Sequence, residues 1–147
     1  YSTSTTEQNS KEFQIARMVA DVWWGGGCRV NGGQGVFIGS GIAFAMGLDW
    51  TRSRTPRAYF DAQISYFRER LVERSRIEWS ESRPGERTIP IGIAIFDGMT
   101  AREAVWERLG QLAREYWGRE VPEDVVLRSL ESAGVKIADF ENKRFRR

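Results

Sequence analysis

Residues 25–50 read GGGCRVNGGQGVFIGSGIAFAMGLDW, and how this stretch folds sets the architecture of the whole chain. Nine of the fifteen glycines lie in it, between Gly25 and Gly47. Its spacing predicts a β-hairpin. Cys28–Val30 would pair with Val36–Ile38 across an Asn31–Gly35 loop, where Asn-Gly supports a positive φ at little steric cost. The apolar run Ile42–Leu48 fits either a further strand or a short buried helix, since so short a run has no diagnostic period. A phosphate cradle is the sharper alternative, because glycines let backbone N–H groups approach an anion. The best alignment, Gly33-Gln34-Gly35-Val36-Phe37-Ile38-Gly39, misses the dinucleotide fingerprint by placing Ile38 where a glycine is needed, and no Gly-Lys-Ser/Thr occurs anywhere. A tight hairpin is the preferred reading.

Outward from this segment the elements are clearer. On the N-terminal side, a helix is expected from Ser10 to Trp24, with Phe13, Ala16, Ala20 and Trp23 on one face and Gly25 as its stop. On the C-terminal side, Thr55-Pro56 opens a second helix carrying Phe60, Ile64, Phe67 and Leu71, ending near Trp79. A Pro84-Gly85 turn within Ser80–Arg87 leads to Thr88–Phe96, TIPIGIAIF, where isoleucine at every second position predicts a strand. Asp97-Gly98 ends it. Thr100-Ala-Arg-Glu103 is a capping box for a third helix with Val105, Leu109, Leu112 and Tyr116, and Pro122 starts a fourth through Val126 and Leu130 to Gly134. Val135–Phe140 has the texture of a short last strand. The expected fold is therefore α+β: a small, mostly antiparallel sheet packed by about four helices. Residues 1–9 are read as a polar flexible tail, 10–140 as the single domain and 141–147 as a basic tail.

The 147-residue chain fits one domain with its own core. The apolar run Val36–Leu48 is shorter than the ~20 residues of a spanning helix, so no membrane partner is expected. No basic-then-apolar leader is visible, and a cytoplasmic location is expected. The chain has no histidine, which excludes Ser-His-Asp and Cys-His catalysis and imidazole metal ligands. Its single cysteine, Cys28, excludes an internal disulfide and a multi-cysteine metal site. Arg29 beside Cys28 would activate an exposed thiol, although a buried inert one is the commoner arrangement. Ser40, in Gly39-Ser40-Gly41, lacks both the elbow spacing and a base.

Three function classes follow. The leading expectation is a non-catalytic accessory or assembly protein, without cofactor or metal, that contacts nucleic acid, single strands above all. Residues 49–60, DWTRSRTPRAYF, set Arg52, Arg54 and Arg57 among Trp50 and other aromatics, and the tail adds Lys143, Arg144, Arg146 and Arg147. Arginine grips phosphate bidentately and aromatic rings stack on unpaired bases. The formal net charge of only +2 makes this a local patch rather than a uniformly basic face. The second class is a protein–protein interaction module or homo-oligomer anchored by some of the six tryptophans, with Trp106, beside its helix's apolar stripe, the favoured anchor. The third is an enzyme using Asp97 with Asp49 or Asp61 and a divalent cation. The absence of histidine weighs against catalysis.

Overall fold

The computed structural model describes residues 3–32, 35–74, 88–99 and 102–135. The chain is mostly helical and forms one compact domain, not an α+β sandwich. The elements run α1 (Thr3–Asp21), a wide π-type turn (Val22–Gly27), β1 (Arg29–Asn31), α2 (Gly35–Arg54), α3 (Arg57–Arg74), α4 (Thr88–Gly98), α5 (Arg102–Glu115), β2 (Glu120–Pro122) and α6 (Glu123–Ser132).

Three sequence expectations are overturned, and for related reasons. The expected hairpin does not form, because Val36–Ile38 belongs to the first turns of the twenty-residue α2. Glycine costs a helix about 1 kcal/mol per residue relative to alanine, which is why the segment reads as a turn. Here the glycines are contact points. A Cβ on Gly41 would sit 2.8 Å from Ile91 Cβ and closer still to Ile91 Cγ2, and one on Gly92 would sit 2.6 Å from Phe44 Cδ1. Close approach of α2 and α4 replaces what the helix loses in propensity. The predicted Thr88–Phe96 strand is α4. Its alternating isoleucines do not mark one exposed and one buried face, because α4 is enclosed on both sides: Ile91 and Ile95 join the larger core cluster, and Ile93 the smaller one. Residues two apart on a helix point in nearly opposite directions, so a period of two also suits a helix covered all round. Finally, among the described residues the sheet has two strands, and they are parallel, with Arg29 opposite Glu120, Val30 opposite Val121 and Asn31 opposite Pro122.

α2 is the central element. Ile38, Ile42, Ala43, Phe44, Ala45 and Leu48 are all buried, and α1 and α4 pack against it. A helix apolar on every side belongs inside a core. The larger cluster joins Ile38 and Ile42 to Trp24, Val105, Leu109, Val121, Val126 and Leu130, and the smaller joins Phe44 and Leu48 to Phe13, Phe60 and Ile93. Phe13 meets Phe44 edge-on at 5.2 Å between centroids, and Phe44 meets Phe67 in the same way at 4.8 Å. The buried hydroxyl of Thr51 donates back to its own helix at Gly47 O, and that of Thr55 to Thr51 O, so neither polar group is left unpaired. Pro56 then stops α2.

α1–β1–α2 and α5–β2–α6 are two helix–strand–helix units joined through their strands. The inward valines, Val30 and Val121, are buried while their neighbours face out. The Gly118 N–H donates to Gly27 O at 2.6 Å. Gly118 has φ +79°, a left-handed conformation that glycine adopts without strain. The helices expected around Phe60–Leu71, Val105–Leu112 and Val126–Leu130 are α3, α5 and α6. α1 starts at Thr3, ahead of the expected Ser10. The Ser80–Arg87 turn, Thr100 of the capping box, residues 136–140 of the last strand and the basic tail lie outside the described residues.

Candidate functional site

The Arg/aromatic segment lies at the α2–α3 junction, and the fold distributes its side chains. Trp50 and Arg54 are one helical turn apart, and the Arg54 guanidinium lies over the Trp50 ring at 4.2 Å from the centroid. Trp50 is 45% exposed, and its indole N–H donates to Glu12 of α1 at 3.3 Å. Arg52, two residues from Trp50, points the other way round the helix. It donates to Asp49 at 2.8 Å and lies over Phe96 of α4 at 5.1 Å. Arg57, at the start of α3, is 3.6 Å from Asp61. The arginines therefore do not share one face: Trp50 and Arg54 come together on the α1 side, Arg52 faces α4, and two of the three are matched by a carboxylate. Lys143, Arg144, Arg146 and Arg147 lie outside the described residues.

The three aspartates considered for a metal are held by separate partners. Asp97 makes a two-pronged contact with Arg68, at 2.6 and 2.7 Å. The hydrogen bond to Asp97 raises the Arg68 pKa further above its ordinary value, so the guanidinium stays charged. Asp61 faces Arg57, and the buried Asp49 accepts from Arg52 and, at 2.7 Å, from the Trp106 indole N–H. Among the described residues no group of three acidic, cysteine or histidine side chains could hold a metal ion. Cys28 is fully buried, and burial pushes its thiol pKa up, the reverse of an activated nucleophile. Ser40 lies within α2.

An apolar groove lies elsewhere on the surface. A groove of about 560 Å³ runs between α1 and α5, floored by Trp24 of the π-type turn and Met46 of α2. Its walls are Ile15, Ala16, Val19 and Ala20 from α1, and Trp106, Gly110, Ala113 and Arg114 from α5. Trp23 and Trp50 stand at its margin, both 45% exposed. Small residues on the facing helices keep it open: a Cβ on Gly110 would meet only Arg114 Nη1, at 3.6 Å. Glu12 and Arg114 are its charged groups. Trp106 is half-buried rather than a free anchor, and its bond to Asp49 ties α5 to α2.

From the wall residues Ile15 and Val19 the exposed apolar surface continues to Met18 of α1 and Val22 of the following turn, all four exposed by 57–65%. Trp117, 51% exposed, extends this surface by packing edge-on against Trp23 at 4.9 Å. Sequence reasoning found the inward face of α1 and missed the outward one. Its signal was present as a second apolar series, 15, 18, 19, 22, at helical spacing. Among the described residues no helix is long and apolar enough to cross a membrane. No protein-family model matches the chain, and neither the curated proteins nor the solved structures contain a match to it.

Proposed function

We propose that this protein is a non-catalytic interaction module of the cytoplasm that docks another protein surface on the groove between α1 and α5. One observation carries the reading: four large apolar side chains, Ile15, Val19, Trp23 and Trp50, are 45–59% exposed and line one groove, and Trp117 beside it packs on Trp23. Isolated exposed apolar residues are normal, but a contiguous patch of about 300–600 Å² on a monomer is usually an interaction site. Tryptophan at the margin, small residues on the walls and few charges match the make-up of an interface centre. The fold supports the groove without depending on filling it, since α1 and α5 are each fixed to the rest of the chain by their buried faces.

The test uses anilinonaphthalene sulfonate as an apolar probe on dilute native protein. Saturable binding that quenches tryptophan emission is expected, and Val19→Glu, at an exposed position on the groove wall, should abolish it without lowering the melting temperature. No binding, or equal binding by Val19→Glu, refutes the reading.

A second reading rests on the exposed Trp50–Arg54 stack, which offers a platform for an unpaired base next to a phosphate-binding cation. The pairing of Arg52 with Asp49 and of Arg57 with Asp61 leaves that site smaller than the sequence suggests. Salt-sensitive binding of a single-stranded oligonucleotide that is lost in Trp50→Ala and Arg54→Ala supports it; binding unchanged in both variants removes it.

A further inference from the structure

The groove is not uniform along its length. Four of the chain's six tryptophans line it, and two of these, Trp50 and Trp106, belong to the end where α2 finishes. Each indole N–H donates to a carboxylate: Trp50 to Glu12 at 3.3 Å, and Trp106 to Asp49, the residue before Trp50, at 2.7 Å. A carboxylate that accepts from an indole N–H leaves the ring face richer in electrons, because hydrogen-bonded groups polarise one another. Trp50 already carries a cation on one face, the exposed Arg54 at 4.2 Å from the ring centroid. Arg54 does not line the groove, which leaves the ring's other face to it. Asp49 is paired with Arg52, whereas the partly buried Glu12 has no ion pair among the described residues. The other charged lining group, Arg114, lies two turns beyond Trp106 on α5, about 12 Å along its axis, at the end where Trp23 packs on Trp117. The Trp50–Trp106 end therefore offers the groove aromatic rings and a carboxylate that no cation contacts.

We propose that this end of the groove takes a methylated ammonium group, the side chain of a methylated lysine on the docked partner. This rests on the docking reading and names the group that anchors the partner. The electron-rich face of tryptophan attracts a cation within about 6 Å of the ring centroid, and the Glu12 carboxylate adds its charge. Methylation decides which cation. An unmethylated ammonium brings three N–H donors that must leave water, and this end meets them with one carboxylate already shared with an indole. A trimethylated ammonium has no donor to satisfy, and its methyl groups lie against the rings. The lysine stem is itself apolar and suits walls made by Ala16 and Val19. A free ammonium ion would occupy only one end of a groove of about 560 Å³, whereas a lysine presented by a protein brings apolar surface for the rest.

The test is titration of tryptophan fluorescence, at constant ionic strength, with the N-acetyl amides of trimethyllysine, of lysine and of the neutral isostere in which carbon replaces the ammonium nitrogen. Trimethyllysine should bind at least about 5-fold more tightly than either control. Glu12→Gln keeps an acceptor for the Trp50 N–H and removes the charge, so it should cut the preference over the neutral isostere at least about twofold. Trp50→Leu, at a position 45% exposed, should abolish that preference, and Trp50→Phe, which keeps a ring, should retain part of it. Equal binding of trimethyllysine and its neutral isostere, or no binding of either by protein that still takes up the apolar probe, overturns the cation site and leaves the docking reading standing. Lysine binding as tightly as trimethyllysine overturns the methylated class. Choline binding more tightly than the trimethyllysine amide assigns the site to a free small molecule and overturns the partner side chain. Failure of every ligand and of the apolar probe overturns both readings.

Discussion

Replacing Gly41 with alanine adds a methyl group at the tightest point between α2 and α4. Its Cβ would lie 2.8 Å from Ile91 Cβ and 3.2 Å from Gly92 N, inside normal contact distance of a branched side-chain root and of backbone. Neither can rotate away, and Ile91 is fully buried, so the helices must separate. Overpacking of this kind costs about 1–3 kcal/mol. Against it stands the helix-propensity gain of Gly→Ala, about 1 kcal/mol. The net expectation is a loss of up to about 2 kcal/mol, or a fall in melting temperature of roughly 2–4 °C per kcal/mol for a chain of this size. Gly110→Ala on α5 is the matched control. It makes the same exchange within a helix but meets only Arg114 Nη1 at 3.6 Å, so it should raise stability by about 0.5–1 kcal/mol in dilute protein. Thermal and urea unfolding followed by circular dichroism would measure both. Adding Gly92→Ala to Gly41→Ala should cost less than the sum of the single changes, because the first substitution already opens the crossing. If Gly41→Ala melts at or above the parent, α2 and α4 are not in contact through these glycines.

Two further outcomes follow from single contacts. Trp106→Phe removes the 2.7 Å indole donor to Asp49, a hydrogen bond to a charged and largely buried acceptor. It should cost about 1.5–3 kcal/mol in urea unfolding, and an unchanged midpoint would mean that this bond does not tie α5 to α2. Cys28 should resist thiol reagents in the native protein and react only as the chain unfolds. Its thiol pKa lies above the ordinary value of 9.0 because of burial. The stability it contributes is therefore present below the unfolded thiol's pKa and lost as pH rises through the folded one. The parent should lose stability across that alkaline range relative to Cys28→Ala; parallel pH profiles would show that the thiol does not titrate differently in the folded chain.

α3, α5 and α6 were legible in the sequence because each lies at the surface with one apolar stripe. Val105, Leu109 and Leu112 on α5, and Val126 and Leu130 on α6, are buried at the spacing the chain spells out. α2 and α4 were not legible, and the cause is the same in both. An enclosed helix has no polar face to reveal a period of 3.6, so its glycines read as turns and its alternating isoleucines as a strand. The candidate site was half legible. The tryptophans and the Arg52–Arg57 segment stand out, but the segment's division between α1 and α4 depends on about 100° of rotation per residue in α2, a helix that no local pattern marks.

By itself the sequence closed whole chemistries, since a chain with no histidine and one cysteine has no imidazole base and no internal disulfide in any fold. It also determined the amphipathic helices, whose burial pattern is local. Tertiary structure alone decided the rest. A glycine-rich segment becomes a central helix only when neighbours cover every side of it, and a groove exists only where two helices distant in sequence are held apart. The first depends on the contact between Gly41 and Ile91, and the second on the packing that sets Ala16 and Gly110 on opposite walls, neither of which a local pattern encodes.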